Sequence, residues 1–576
     1  MIMNGAQIAI ETLIEQGVTD VFGYPGGQVL NIYDALYCAS DRLRHILTAH
    51  EQGAAHAADG YARVTGKVGV VIATSGPGAT NLVTGIATAM LDSVPMVAIT
   101  GNVPTYLIGR DGFQEVDITG VTMPITKHNY FVTKVEDLAE TIRDAFRIAK
   151  SGRPGPVLID IPKDVQEAEC EYTYAAPYDP IRFAQASEAL ISEAADMINS
   201  AVRPYIYIGG GAAREGLSRE IIALADKIDG YIGSSLMGLS LIPNSHVRFL
   251  GMQGMHGRYA SSRGAKEADV IIAIGVRFSD RAIGDVKQYS KNAKIIQLDG
   301  DIAEINKNVS VDIGIVGDIT SALLKMTELC EEKKHPKWKK KIETSREYGK
   351  AIGAEMEKNA GDTLTPKKIL DVINNGKNEN TVIVTDVGQH QMWTAQYARF
   401  ERPRRLATSG GLGTMGYGMG AAIGAYIAED ERPILITGDG SFGMNMTELA
   451  TAVTYNIPMI IVIMNNGVLG MVRQWQTLFY DKHYSSTVLD RKTDFVKIAE
   501  AFGAKGERVD SAESFKAAFE RAVSYSGPYL IDAAIGMDEF VLPMLPPGAK
   551  MEDIITEDFS SSDVSSDDEN EKDGAE

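Results

Sequence analysis

Two side chains set 27 positions apart define the chemistry this sequence can support: Asp439 in "GDGSFG" and Asn466 in "MNNG". Each follows an apolar run, "PILIT" and "MIIVIM", with the length and composition of a buried strand. Between them "NMTELATAVTYN" reads as a helix. Its residues Met446, Leu449, Ala450 and Val453 share one face, and Asn445 with Glu448 has the spacing of a capping box. The expected order is strand, "GDGSFG" loop, crossover helix, strand. A right-handed βαβ crossover brings both strand ends to one edge of a sheet. A carboxylate from Asp439, a carboxamide oxygen from Asn466 and a nearby backbone carbonyl, taken as Val468, make a hard oxygen set. Mg²⁺ favours such ligands and completes its octahedron with phosphate and water. Gly438, Gly440 and Gly443 let backbone N–H groups approach an anion. The prediction is Mg²⁺ holding a diphosphate; read alone, "DG" and "NNG" are also common turns.

Elements of the same kind recur along the chain. Short β-rich runs alternate with helical patterns, which implies βαβ units and parallel sheets. "VFGYP", "HILTAH", "GVVIAT", "MVAIT" and "PVLIDIP" form a first group; "PYIYIGGG", "DVIIAIGV", "AKIIQLDGD" and "VDIGIVGD" a second. "NTVIVTDVG", "PILITGDGS", "MIIVIMNN" and "GPYLIDAAI" form a third. The expected architecture is α/β: three doubly wound parallel-sheet domains over residues 1–170, 188–330 and 366–550. Residues 331–365 read as a solvated helix and linker, and 551–576 as a disordered acidic tail. That tail has 11 acidic residues and one lysine, so it holds half of the net charge of −20. There is no basic stripe for nucleic acid and no apolar run long enough to span a membrane. Cys38, Cys170 and Cys330 have no metal or disulfide spacing, which fits a reducing cytoplasm.

Read together, the motifs resemble a known family. "PGG" (25–27), "AHEQGAAHAADGYAR" (49–63), "TSGPGATNL" (74–82), "DVGQHQMW" (386–393), "SGGLGTMGYG" (409–418) and "GVLGMVRQW" (467–475) occur in order around the GDG…NN pair. This is similar to the catalytic large subunit of acetolactate synthase (acetohydroxyacid synthase), a thiamine-diphosphate-dependent family, over about residues 1–555. The resemblance implies a pyrimidine-binding first domain, a central FAD-binding domain and a diphosphate-binding third domain. It implies that Glu51 hydrogen-bonds the cofactor's aminopyrimidine, a proton-transfer role typically worth ~10²–10⁴ in rate. Gly27 would offer a backbone N–H to an oxyanion, with Gln114 and Lys163 in the reaction pocket. Val387, Gly388, Gln389, His390 and Ser441 match the diphosphate loops, and Gly413 with Met415 the segment under the thiazolium ring. Gly209, Gly210, Gly211, Leu236, Met237, Met255, His256, Gly275, Arg277, Arg281, Asp299 and Asp318 match a structural, non-redox FAD site. Phe113, Met471 and Trp475 match substrate-pocket positions; Pro104 and Pro547 match an access channel.

The implied reaction decarboxylates pyruvate and passes the two-carbon unit to a second pyruvate or to 2-oxobutyrate, in valine, leucine and isoleucine synthesis. The implied assembly is a homodimer or tetramer with active sites between chains, with a small regulatory subunit as a possible partner. Gln28, Ala49, Gly300 and Gly420 depart from the commonest pattern, Gly300 replacing a branched residue after Asp299. The nearest alternatives are a pyruvate oxidase and a flavin-free catabolic acetolactate synthase. A dehydrogenase is disfavoured because "GGGAAREG" does not fit the dinucleotide fingerprint.

Overall fold

The structure, a computed structural model, describes residues 1–286, 289, 291–546, 549 and 553–556. A short strand β1 (Ile2–Asn4) leads into the first sheet. That sheet holds β2 (Asp20–Tyr24), β3 (Arg44–Leu47), β4 (Gly69–Ala73), β5 (Met96–Asn102), β6 (His128–Phe131) and β7 (Pro156–Pro162), ordered β3-β2-β4-β5-β7-β6. Strand β8 (Glu169–Glu171) returns to pair antiparallel with β1. The second sheet holds β9 (Pro204–Ile208), β10 (Tyr231–Ser234), β11 (Phe249–Met252), β12 (Val270–Ile274), β13 (Lys294–Asp299) and β14 (Ile313–Val316), ordered β11-β10-β9-β12-β13-β14. The third holds β15 (Ile383–Thr385), β16 (Leu406–Ala407), β17 (Ile434–Gly438), β18 (Ile460–Asn465), β19 (Lys505–Val509) and β20 (Tyr529–Ala534), ordered β16-β15-β17-β18-β20-β19.

Every pairing within these three sheets is parallel. All seven residues of β5 and all seven of β7 are buried, as a parallel sheet covered on both faces requires. The predicted runs are the interior strands other than β10, together with the edge strands β3 and β14. Within these sheets the strands the apolar-run reading misses are β6, β10, β11, β16 and β19, at or beside a sheet edge; it also misses the short pair β1 and β8. "KGERV" in β19 and "LA" in β16 carry too little apolar surface to signal a strand.

Two local expectations change. The segment 331–365 contains a 25-residue helix whose Trp338 and Ile342 are buried rather than solvated. Trp338 donates to the Pro204 carbonyl oxygen at 3.2 Å and packs edge-on against Tyr231, so the helix closes one face of the central domain. Nearly all of the acidic tail, and Pro547, lie outside the described residues. Among the described residues no helix is long and apolar enough to cross a membrane.

The first and third domains meet along two helices, α1 (Glu51–Thr65) and α3 (Gly418–Glu429), with α2 denoting Pro336–Ala360. A Cβ on Gly424 would overlap the Ala57 carbonyl oxygen, and one on Gly60 the Ala421 carbonyl oxygen. Gly420 likewise faces the Gly53 carbonyl at a distance no side chain tolerates, which accounts for glycine there. The two helices therefore touch backbone to backbone. We expect Gly424→Val to lower the midpoint of the first thermal transition, by overpacking worth roughly 1–3 kcal/mol. Gly353→Ala, in open space on α2, should leave it unchanged or raise it. Equal midpoints for wild type and Gly424→Val would contradict this contact.

Candidate active site

At the third sheet, β17 ends on Gly438 and α4 (Asp439–Asn445) begins at the next residue. "GDGSFG" is thus not the expected loop: Asp439 stands in the first turn of a helix, where the dipole favours a carboxylate. The expected capping box is also absent. Asn445 Nδ2 donates to the Gly416 carbonyl oxygen at 3.1 Å, and Glu448 reaches into the first domain instead. The crossover helix is broken, with a short turn at Met446–Glu448 before Leu449–Thr454; Ala452, not Ala450, is fully buried with Leu449.

Strands β17 and β18 lie side by side with Gly438 opposite Met464, so Asp439 and Asn466 emerge from the same edge. Asn466 Nδ2 donates to Gln389 Oε1 at 3.1 Å, and its Oδ1 accepts the Val468 N–H at 3.3 Å. Gln389 in turn donates to Gln474 Oε1 and the Glu539 carbonyl oxygen at 3.0 and 2.8 Å. Ser441 Oγ donates to the Val387 carbonyl oxygen at 3.0 Å, joining α4 to the turn after β15. Burial pushes the Asp439 carboxyl up to about 6, against backbone N–H bonds that favour its charge. Burial holds His390 neutral, pushing it down to about 3, and its Nε2 is buried without a hydrogen-bond partner. Among the described residues no group of three or more His, Cys, Asp or Glu could hold a metal. The donor set is one carboxylate with neutral oxygens. It fits a hard cation that takes its remaining ligands from phosphate and water.

Asp386, which the sequence reading left without a role, organises the turn beneath this edge. Its carboxylate accepts the Gly416 and Gly418 N–H groups at 2.9 and 3.1 Å and the Thr437 hydroxyl at 2.9 Å. It thereby ties β15 and β17 to the loop carrying Gly413 and Met415. A second buried carboxylate, Asp92, accepts the Gly410 and Gly411 N–H groups at 3.0 and 2.7 Å. Arg63 bridges Asp92 at 2.8 Å and Asp59 at 2.5 Å, and Tyr417 donates to Asp59 at 2.7 Å. Burial opposes the Arg63 charge, but Asp59, Tyr417 and Asp92 outweigh it and keep the guanidinium protonated. Neither carboxylate's role is legible from its neighbours in the sequence, because its partners lie far away in the chain.

At the first sheet, Gly27, Glu51, Gln114 and Lys163 follow β2, β3, β5 and β7, so all four stand beyond the carboxyl ends of strands. Glu51 Oε2 accepts from Asn81 Nδ2 at 2.9 Å. Glu448 accepts the Ala49 and His50 N–H groups at 3.2 and 3.0 Å, fixing the chain just before Glu51. Phe113, beside Gln114, is 84% exposed.

A cavity of about 1430 Å³ opens between the central and third domains. It is lined by Gly209, Gly210, Gly211, Leu236, Met237, Met255, His256, Gly275, Arg277, Arg281 and Asp299, and on its other side by Val387, Gly388, Gly413, Met415, Met471 and Trp475. Asp318 is not on its wall: the Asp318 carboxylate is spent on the Thr320 and Ser321 N–H groups, capping helix Ile319–Leu329. Glu51, Gly27, Gln114, Lys163, Phe113, Gln389, His390, Gly438, Gly440, Ser441, Asp439, Asn466 and Val468 are also outside the lining. The sequence reading missed Arg153, Phe183 and Arg214, which do line it. Arg473, beside Trp475, is paired with Asp538 at 2.7 Å.

Family profiles match each sheet. Residues 3–121 match the N-terminal TPP binding domain of thiamine pyrophosphate enzymes, 191–326 their central domain, and 386–533 their C-terminal TPP binding domain. The chain belongs to the acetolactate synthase large-subunit family of thiamine pyrophosphate enzymes. A probable acetolactate synthase large subunit from Methanocaldococcus jannaschii is 46% identical over 567 residues, covering 96% of this chain and 95% of that protein. The acetolactate synthase large subunit of Corynebacterium glutamicum is 44% identical, covering 96% and 90%. The acetolactate synthase of Arthrospira platensis is 42% identical, covering 96% and 98%. In this acetolactate synthase family member the large cavity is walled mainly by the central domain and the C-terminal TPP binding domain, with Leu91, Asp92, Ser93 and Arg153 of the first domain also on it.

The buried Asp386 gives the site a pH signature. Burial, against its N–H and O–H partners, pushes Asp386 up to about 6 from an ordinary value of 3.8. Between those values the unfolded chain releases a proton that the folded chain keeps. Stability from this group therefore falls as pH rises from about 4 to about 6, then levels off. Asp386→Asn keeps an oxygen for Gly416 and Gly418 and removes the titration. Unfolding midpoints across this range should show wild type losing stability relative to the variant as pH rises; a constant difference would contradict the assignment.

Proposed function

We propose that this chain decarboxylates pyruvate and joins the two-carbon unit to a second pyruvate or to 2-oxobutyrate, giving 2-acetolactate or 2-aceto-2-hydroxybutyrate for branched-chain amino acid synthesis. The observation that carries this reading is the pairing of two strand edges. Glu51 stands at one, Asp439 with Asn466 at the other, inside a match to named acetolactate synthases over 96% of the chain. Bound thiamine diphosphate supplies a carbon nucleophile and an electron sink for loss of CO₂. Asp439, Asn466 and the Val468 carbonyl would hold Mg²⁺ on its diphosphate, with Gly438, Gly440, Ser441, Val387, Gly388, Gln389 and His390 around them. The orphaned His390 Nε2 supports an anionic group in that cradle. Met415 and Gly413 would support the ring. Glu51 would hold the proton exchanged with the aminopyrimidine. Gly27, Gln114 and Lys163 would orient and polarise substrate, and Phe113, Met471 and Trp475 would shape its pocket.

FAD is the proposed structural occupant of the large cavity. At about 1430 Å³ it exceeds the ~300–1,000 Å³ of ordinary small-molecule pockets and suits a dinucleotide-length ligand. His256 Nδ1, buried on its wall without a partner, supports a polar ligand there. The catalytic assembly is proposed as a homodimer or larger oligomer. Within one chain, Glu51, Gly27, Gln114 and Lys163 are not on the wall of the large cavity that Met415 lines. Leu30, Tyr106, Phe113 and Met123 are exposed at the first sheet's carboxyl edge or just beyond it, as at a protein interface. Relatives named as large subunits support a smaller regulatory partner. Three free cysteines suit a reducing cytoplasm.

Protein supplied with pyruvate, Mg²⁺, thiamine diphosphate and FAD should yield acetolactate, read as acetoin after acid treatment. Peroxide instead would identify an oxidase. Glu51→Gln should retain cofactor affinity and lose ~10²–10⁴ of the rate. Asp439→Ala should lose Mg²⁺-dependent cofactor binding; undiminished affinity would contradict the metal site.

A further inference from the structure

Gly300 directly follows Asp299 at the end of β13 and has no side chain with which to wall the cavity. Its surroundings explain why. A Cβ there would enter the van der Waals surface of the Phe183 ring, 2.7 Å from Cε1. Phe183 comes from the connection between the first and central domains, which has neither helix nor strand from 172 to 187. That connection is nevertheless pinned on both sides of the ring. The Gly152 N–H donates to the Ile181 carbonyl oxygen at 3.2 Å, and the Ile181 N–H to Ser151 Oγ at 2.8 Å. The Asp318 N–H donates to the Ala184 carbonyl oxygen at 2.8 Å. The ring is therefore presented to the cavity by two domains at once.

Its neighbours on the cavity wall indicate what it meets. The wall includes the glycine turn Gly209–Gly211 after β9, Asp299 after β13, and Phe183 with Arg153 and Arg214. In nucleotide-binding parallel sheets a glycine turn takes the diphosphate and an acid at a strand end takes the ribose hydroxyls. The base then lies beyond the acid, and a base needs a flat apolar face. Beyond Asp299 the chain offers glycine, and the aromatic ring fills that space.

We propose that Phe183 is the stacking wall for the adenine of the bound dinucleotide, and that residue 300 is glycine to admit the ring. This rests on the FAD reading above. It assigns to an interdomain connection a binding role that no motif in the sequence marks.

The test is a flavin-fluorescence titration of cofactor-free protein with FAD and, separately, with FMN, which lacks the adenosine. Phe183→Ala should raise the Kd for FAD about tenfold and leave FMN affinity within about twofold, the limit for losing no stacked base. Phe183→Trp should keep FAD binding near wild type. Gly300→Ile should also weaken FAD, and adding Phe183→Ala to it should cost far less than in the wild-type background, because the ring is already displaced. An unchanged FAD-to-FMN ratio in Phe183→Ala, or equal loss of both ligands, would overturn the assignment while leaving the flavin site standing. A wild-type protein that takes up no FAD would overturn both.

Discussion

The backbone-to-backbone contact between α1 and α3 is the constraint on which the rest of the molecule depends. Glycine and alanine on both helices remove the side chains that normally separate a helix pair by ~8–10 Å. The carbonyls of Ala57 and Ala421 lie where a Cβ of the facing glycine would be. Such a contact has almost no slack, so the first and third domains hold one relation to each other. Polar groups extend the lock. Arg63 binds Asp59 and Asp92, Tyr417 joins Asp59, and Asp92 holds the Gly410–Gly411 backbone. Losing the arginine would strand two buried carboxylates, which is why a buried cation here is a structural commitment rather than a surface decoration.

That lock sets the two strand edges on which the proposed chemistry rests. Helix α1 begins at Glu51, and the chain just before it is clamped by Glu448 of the third domain. Helix α3 begins at Gly418, whose N–H is held by Asp386 together with that of Gly416. The same helix pair thus fixes a carboxylate at one edge and the Met415 turn at the other. Burial raises both the Asp386 and Glu448 carboxyls, their donors come from separate segments, and both serve placement rather than solvation.

Much of this was legible in the sequence, and the limits have physical causes. Three parallel sheets follow from uninterrupted apolar runs such as "PVLIDIP", because strands covered on both faces must be apolar throughout. The edge strand "KGERV" escaped notice because one side of it faces no neighbour. Asp439 and Asn466 could be paired because one βαβ crossover links them, which makes their edge a local property. The capping box at Asn445 failed because a tertiary acceptor outcompeted a local one: Asn445 found the Gly416 carbonyl, and Glu448 found the backbone before Glu51. Asp92, Arg153 and Phe183 were silent because their partners lie dozens to hundreds of residues away. Gly300, by contrast, was visible as a departure, and only the Phe183 ring gives it a reason.

Glu51 of one copy and Asp439 of another are proposed to serve the same cofactor. Mixing two separately inactive chains, Glu51→Gln and Asp439→Ala, tests it directly. In a mixed dimer one site carries both defects and the other carries neither. Acetolactate formation should return to a substantial fraction of the wild-type rate on mixing and reassembly. A mixture in which hybrid dimers form and remain as inactive as either parent would contradict it.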